Sequence, residues 1–319
     1  MSADYNPEST PQQRPALAPP VDRLAGVITI FWNERELRAG WRLVMFVVLF
    51  FLFASAGVLL AILLRLPRVT RTNITPLGLL VQEGVGMIAA LLAAAVMSVL
   101  EGRPFGVYGL PAAQAFRVRF WQGLAWGLAM IAAMILLIRA FGGFTFGGRA
   151  LAGAAVWSYA ALWGVVFLCV GFFEEFLFRG YALYTLASGM KFWPAATLLS
   201  GIFAGFHLGN SGEDAVGAAE VFVTAMFFCL ILRRTGNLWF AVGVHAAWDW
   251  GETYLFSVPD SGIVAPGHLL NSSLHGPAWL TGGSVGPEAS VMAFVVIGAA
   301  ALIFSRIYPV RESARTPLL

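Results

Sequence analysis

The chain has 319 residues, 59% of them hydrophobic and 12% charged, with a mean hydropathy of +0.76. Soluble domains carry about 25% charged residues, so the composition excludes an ordinary soluble protein and indicates an all-α, polytopic transmembrane helical bundle. The formal charge of +3 and pI near 9.1 do not indicate nucleic acid, because excess Arg and Lys in such a chain marks cytoplasmic loops.

Residues 1–20 are polar and Pro-rich, with no apolar core of a cleavable signal peptide, and read as a disordered cytoplasmic tail. In 21–38, Leu24, Val27, Ile28 and Phe31 recur at helical spacing beside Asp22, Arg23, Glu34 and Arg35. That pattern predicts an amphipathic helix lying in the membrane interface. A transmembrane bundle follows over 39–310, then a second cytoplasmic tail at 311–319. A crossing helix needs about 20 apolar residues. About eight spans are predicted, near 41–64, 77–100, 120–138, 154–178, 193–210, 216–232, 237–257 and 289–308. Cys169 and Cys229 fall within these apolar runs, which argues against a disulfide framework.

With eight spans both termini share a side. Fourteen Arg and Lys residues, from Arg14 to Arg315, fall on that side, against five (Arg65, Arg68, Arg71, Arg139 and Arg149) on the other. The asymmetry predicts a cell-membrane protein with both termini in the cytoplasm. The 258–288 loop, rich in Gly, Pro and Ser and free of Lys and Arg, reads equally as a lid over the bundle or a plain connector. There is no internal repeat of the kind many transporters carry.

Ionisable residues within membrane helices are functional candidates, since each is costly unless paired. Here they are Glu83, Glu174, Glu175, Arg179, His207, Glu220, His245, Asp249 and Glu252. In GFFEEFLFRG (171–180), Glu175 and Arg179 are four apart and share a face; a charged helix end snorkelling to headgroups explains that pair equally well. Glu174 is turned about 100° away and is free to face something else. A carboxylate in apolar surroundings has a raised pKa and suits general-base work.

In GIFAGFHLGN (201–210), Phe203 and His207 share a face, which also fits a satisfied core histidine. In GVHAAWDWGE (243–252), His245 and Asp249 can meet as an orienting pair, a chelating pair or an interhelical link. Such groups on neighbouring helices can activate water and hold an oxyanion. They can also bind a divalent metal such as zinc, with Glu174, His207, His245 and Asp249 as the ligand candidates.

The ordered motifs Glu-Glu-x-x-x-Arg (Glu174, Glu175, Arg179), Phe-x-x-x-His (Phe203, His207) and His-x-x-x-Asp (His245, Asp249) resemble the CAAX protease and bacteriocin-processing (CPBP, or Abi) family of intramembrane proteases. The likeness covers 154–257 and extends weakly to GGSVGPEAS (282–290). It implies a CAAX-protease-like bundle with a polar cavity, acting on a membrane-associated protein or peptide within the lipid bilayer. By resemblance, Glu174 and His207 activate water, and His245 and Asp249 stabilise the oxyanion or complete a metal site. Glu175 and Arg179 support Glu174, and Phe203 packs beside the site.

The family's last motif position varies between Asn and Asp. An ionised Asp249 cannot donate to an oxyanion, so it is protonated, orients His245 or binds metal. The expected function is intramembrane hydrolysis of a peptide bond, of glutamate or metallo type. The alternative is a non-enzymatic immunity or scaffold protein retaining the fold, with a transporter as a third class. Straight helices would put Glu174 and His207 at different depths. Either the fourth helix runs on through Gly180 towards Ser188 with a tilt or kink, or the fifth dips.

Overall fold

A computed structural model describes residues 30–33, 36–70, 74–210 and 212–309. The tails predicted at 1–20 and 311–319 lie outside them, as do residues 21–29 and 34–35 of the predicted interfacial helix. Its described remainder turns back on itself after Phe31, closed by a Trp32–Leu37 bridge.

Helices occupy all eight predicted stretches. They are α1 Ala39–Leu63, α2 Pro76–Glu101, α3 Val118–Ala140, α4 Ala154–Glu175, α6 Phe192–His207, α7 Ala215–Thr235, α8 Leu238–Trp250 and α9 Val291–Ile307. A π-helical stretch, Phe176–Ala182, carries α4 directly into the short α5, Leu183–Met190, and another, Gly251–Phe256, extends α8. Five segments are long and apolar enough to cross a membrane: α1, α2, α3, the continuous Ala154–Met190 and α7. The remaining three, α6, α8 and α9, are shorter, so among the described residues the predicted eight spans comprise five helices of crossing length and three short ones. The 16 residues of α6 reach about 24 Å, less than the roughly 30 Å hydrocarbon thickness.

Local chemistry sets the helix ends. The side chains of Thr75, Asp214, Asn237 and Ser290 cap α2, α7, α8 and α9 by accepting backbone N–H bonds, which satisfies donors the first turn leaves open.

The centre of the bundle is built on close backbone approach. A Cβ on Gly123 of α3 would lie 2.1 Å from the Phe240 carbonyl oxygen of α8, and one on Gly127 would lie 2.3 Å from that of Val244. The spacing Gly123-x-x-x-Gly127 thus lets two helices touch, as small residues do where lipid offers no hydrophobic drive. On the other side of α8, Gly171 of α4 leaves room for His245 and Ala246. α8 is therefore clamped between α3 and α4, and its residues from Leu238 to Val244 are buried.

The 258–288 loop is folded back onto the bundle. A two-residue ladder pairs β1 (Phe144–Thr145) with β2 (Ser273–Leu274). Trp163 Nε1 donates to the Pro266 carbonyl at 3.3 Å, and Leu269 N to that of Tyr254 at 3.0 Å. Asp260, Ser261, Ile263 and Ala265 line an interior cavity, so the loop covers the bundle rather than merely joining two helices.

Candidate active site

Three helices deliver polar groups to that cavity, whose volume is about 350 Å³. Glu174 comes from the end of α4, His207 from the end of α6, and His245 and Asp249 from α8; Phe203 lies on the same wall. Their depths agree because α4 does not stop after Arg179. It runs through the π-helical stretch, in which Gly180 leaves helical geometry (φ −80°, ψ −113°), and on to Met190 before α6 returns. Of the two routes open from sequence, the structure takes the kinked continuation. π-Helical turns are uncommon and concentrate at functional sites.

The adjacent glutamates have separate surroundings. Glu175 is fully buried, and its Oε1 accepts from Arg179 Nη1 at 3.2 Å and from His245 Nδ1 at 3.1 Å. The sequence pairs Glu175 with Arg179 in support of Glu174; the structure keeps the pair but sets it against His245. Arg179 is buried between aromatic faces, 4.5 Å from the Phe203 ring centroid and 5.7 Å from that of Phe228. Phe228 stacks on the His245 imidazole at 5.4 Å. An aromatic and guanidinium stack thus fixes the ring from one side, and a carboxylate fixes its Nδ1.

The other nitrogen, His245 Nε2, lies 3.6 Å from Glu174 Oε2 and 3.5 Å from Asp249 Oδ2. With Nδ1–H given to Glu175, a neutral ring would turn a bare lone pair towards two carboxylate oxygens. A positive hydrogen, on Nε2 or on one of the acids, relieves that opposition. His207 is tied differently. Its Nδ1–H donates to the Phe203 carbonyl at 3.0 Å, and its ring packs on that of Phe203 at 4.5 Å. In the neutral ring this tautomer leaves the Nε2 lone pair available.

Three protein ligands on one zinc, with bonds of about 2.0–2.2 Å, lie within roughly 4.4 Å of one another. Among the described residues, Glu174, His207, His245 and Asp249 contain no trio of ligand atoms that converges even within 4.8 Å; the group that does so is Glu252, Asp260 and Glu288. In this arrangement His245 Nε2 lies near one oxygen of Glu174 and one of Asp249, and no three of the four candidates bring ligand atoms as close together as one zinc requires.

Several cavity-wall residues have no place in the three motifs. Glu83 on α2 lines the wall and accepts from Gln82 Nε2 at 3.0 Å. Glu220 on α7 is buried and accepts from Thr224 at 2.6 Å. Asp260 and Glu288 arrive from the loop and from the turn before α9. Glu83 and Glu220 stand out in sequence only as acids in apolar runs; Asp260 and Glu288 carry no such signal. Burial and then the nearby Glu288 charge push the Asp260 carboxyl up to about 8, against the lowering effect of its Thr253 hydrogen bond.

Residues 155–251 match the family model of type II CAAX prenyl endopeptidase Rce1-like proteins. That segment holds Glu174, Glu175, Arg179, Phe203, His207, His245 and Asp249, and stops short of Glu252, Asp260 and Glu288. No curated protein matches the chain.

Proposed function

We propose, on the premise that the 155–251 core belongs to the Rce1-like CAAX prenyl endopeptidase family, that this chain hydrolyses a peptide bond in a membrane-associated protein or peptide, using Glu174 and His207 to activate water. The observation that carries the reading is the meeting of Glu174, His207, His245 and Asp249, from three helices, in one cavity.

In this mechanism the Glu174 carboxylate takes a proton from a water that the His207 Nε2 lone pair helps to position. The water oxygen attacks the scissile carbonyl carbon. The oxyanion receives a hydrogen bond from His245 Nε2–H, whose ring is aimed by the Glu175 contact on Nδ1. The C–N bond breaks as Glu174 passes its proton to the leaving nitrogen. Asp249, 3.5 Å from His245 Nε2, holds the ring and its charge and does not donate to the oxyanion. Apolar wall residues, among them Leu79, Phe167, Val170 and Phe227, keep the site dry and suit a lipid-attached or hydrophobic peptide tail. The loop charge asymmetry supports an orientation with both termini in the cytoplasm and the substrate tail presented from the bilayer.

The test offers membrane-anchored peptides, with and without a prenyl group, to the purified protein and to Glu174→Gln, each with and without chelator. Cleavage by the native protein and its loss in the variant are expected. Equal cleavage by both would overturn the role of Glu174. Loss with chelator and rescue by zinc would replace the glutamate mechanism with a metal one.

A further inference from the structure

Beyond the 155–251 segment three acids meet, two of which, Asp260 and Glu288, line the cavity. Glu252 stands in the π-helical extension of α8, Asp260 at the start of the loop, and Glu288 in the turn Pro287–Ala289 that leads into α9. One carboxylate oxygen from each lies within 4.8 Å of the others. Among the described residues, no ion pair joins any of the three to an Arg, Lys or His.

Two of the acids have neutral donors only. Thr253 donates to Asp260 Oδ2 at 2.8 Å; Trp248 Nε1 donates to Glu288 Oε1 at 3.2 Å, and Ser261 N and Oγ donate to Glu288 Oε2 at 3.1 and 2.9 Å. Glu252 has none: its side chain is fully buried, and both its oxygens are without a hydrogen-bond partner. A fully buried carboxylate facing two others and no base lacks the compensation that buried charge requires. The neutral donors orient Asp260 and Glu288 while leaving further lone pairs free.

We propose that Glu252, Asp260 and Glu288 bind a hard divalent cation, calcium foremost, which pins the 258–288 loop to the end of α8. An all-oxygen, all-carboxylate set suits such ions and not zinc or copper. Calcium, with bonds of 2.3–2.6 Å, holds three oxygens up to about 4.5 Å apart, so a trio already gathered within 4.8 Å closes on it with shifts of a few tenths of an ångström at most. The ion supplies the positive charge that the trio lacks. It joins three separate chain segments, so its removal loosens the loop that lines the cavity. It is not a ligand of the Glu174 and His245 cluster.

The test reads binding and leaves cleavage aside, so it stands or falls apart from the proposed activity. Terbium(III), a luminescent calcium substitute, is titrated into detergent-solubilised full-length protein with tryptophan excitation; Trp248, bonded to Glu288, is the antenna. Saturable luminescence displaced by calcium and not by zinc is expected. It should persist in Glu174→Gln and weaken at least about tenfold in both Glu252→Gln and Asp260→Asn. The Asp260 change lies in the loop, so it remains informative if the buried variant fails to fold. Absence of saturable luminescence in the native protein would mean that the acids share protons instead, and overturns the proposal. So would luminescence that survives both variants, or that disappears in Glu174→Gln.

Discussion

Two charged regions of this bundle obey opposite rules. Where α1, α2 and α5 meet, Arg42 bonds Glu101 at 3.1 Å, Glu36 at 3.2 Å and Ser188 at 2.6 Å; Arg103 pairs with both Glu36 and Glu101, and Tyr181 donates to Glu101. Two bases answer two acids. Around the cavity, Glu83, Glu174, Glu220, Asp249, Asp260 and Glu288 line the wall with two histidines and, among the described residues, no arginine or lysine. Arg179, beneath it, is committed to Glu175. Charge that is matched holds helices together, whereas charge left in excess is available to a water, a substrate or an ion. Each region mixes buried charge, Arg42 in one and Asp249 in the other, with partly exposed charge, Glu36 in one and Glu174 in the other, so burial alone does not separate scaffold from site; the balance of partners does.

That contrast is broken most directly at Glu174. Glu174→Gln removes the proposed general base while keeping its volume. Cleavage should fall by about 10²–10⁴-fold, with the thermal midpoint in detergent almost unmoved. A large loss of stability with cleavage per folded molecule intact would make Glu174 a scaffold residue like Glu101.

Arg42→Met makes the reciprocal test. It removes a base that is 2% exposed and leaves the Glu101 carboxylate to Arg103 and Tyr181 alone, at a cost of about 1.5–3 kcal/mol of stability for the lost charged hydrogen bonds. Cleavage by the surviving folded fraction, measured against a conformational probe, should be unchanged. Catalytic loss beyond the loss of folded protein would show that the network reaches the cavity.

A smaller effect is expected at Glu175→Gln. The amide retains a carbonyl for His245 Nδ1–H but loses the charge shared with Arg179. Supporting contacts of this kind are worth about 10–100-fold in activity. The pH profile of kcat should shift as well, because the charge beside His245 changes. An unchanged profile with lowered stability would return Glu175 to a plain ion pair with Arg179.

The legibility of the sequence followed the range of the interactions. The eight helical stretches could be read because the apolar runs are long; caps such as Asp214 and Asn237 emerged only with the structure. Glu174, His207, His245 and Asp249, which line one cavity, could be singled out as candidates because ionisable groups are rare in such runs. Helical periodicity gave the separation of Glu174 from Glu175, but it sees only partners on the same helix. It therefore assigned Glu175 to Arg179 and missed His245, 70 residues away. The π-helical stretch at Phe176–Ala182 was invisible for a related reason: the residues suit an α-helix, and it is the stretch's own packing against α6 and α8, distant in sequence, that accompanies the departure. Asp260 and Glu288 sit in a Gly- and Pro-rich loop where acids are ordinary, and only its folding over the cavity gives them neighbours.

The smallest predicted effect tests the seam on which the two glutamates depend. A Cβ on Gly171 would meet His245 Cβ, Ala246 N and the Val242 carbonyl oxygen, each at 3.2 Å. Contacts that tight push α4 and α8 apart by a few tenths of an ångström, and the 3.1 Å Glu175–His245 bond lies one turn further along the same seam. Gly171→Ala should therefore lower kcat about 3–10-fold, in keeping with the roughly 10²-fold cost of a full ångström of misplacement. Gly201→Ala, on α6, is the control, because a Cβ there meets nothing within 4 Å. That change should leave cleavage intact and raise stability by up to about 1 kcal/mol through helix propensity. Equal losses in the two variants would trace the effect to glycine flexibility in general. A loss confined to Gly171→Ala would tie the chemistry to the spacing of α4 and α8, and so to the side of the molecule where charge is in excess.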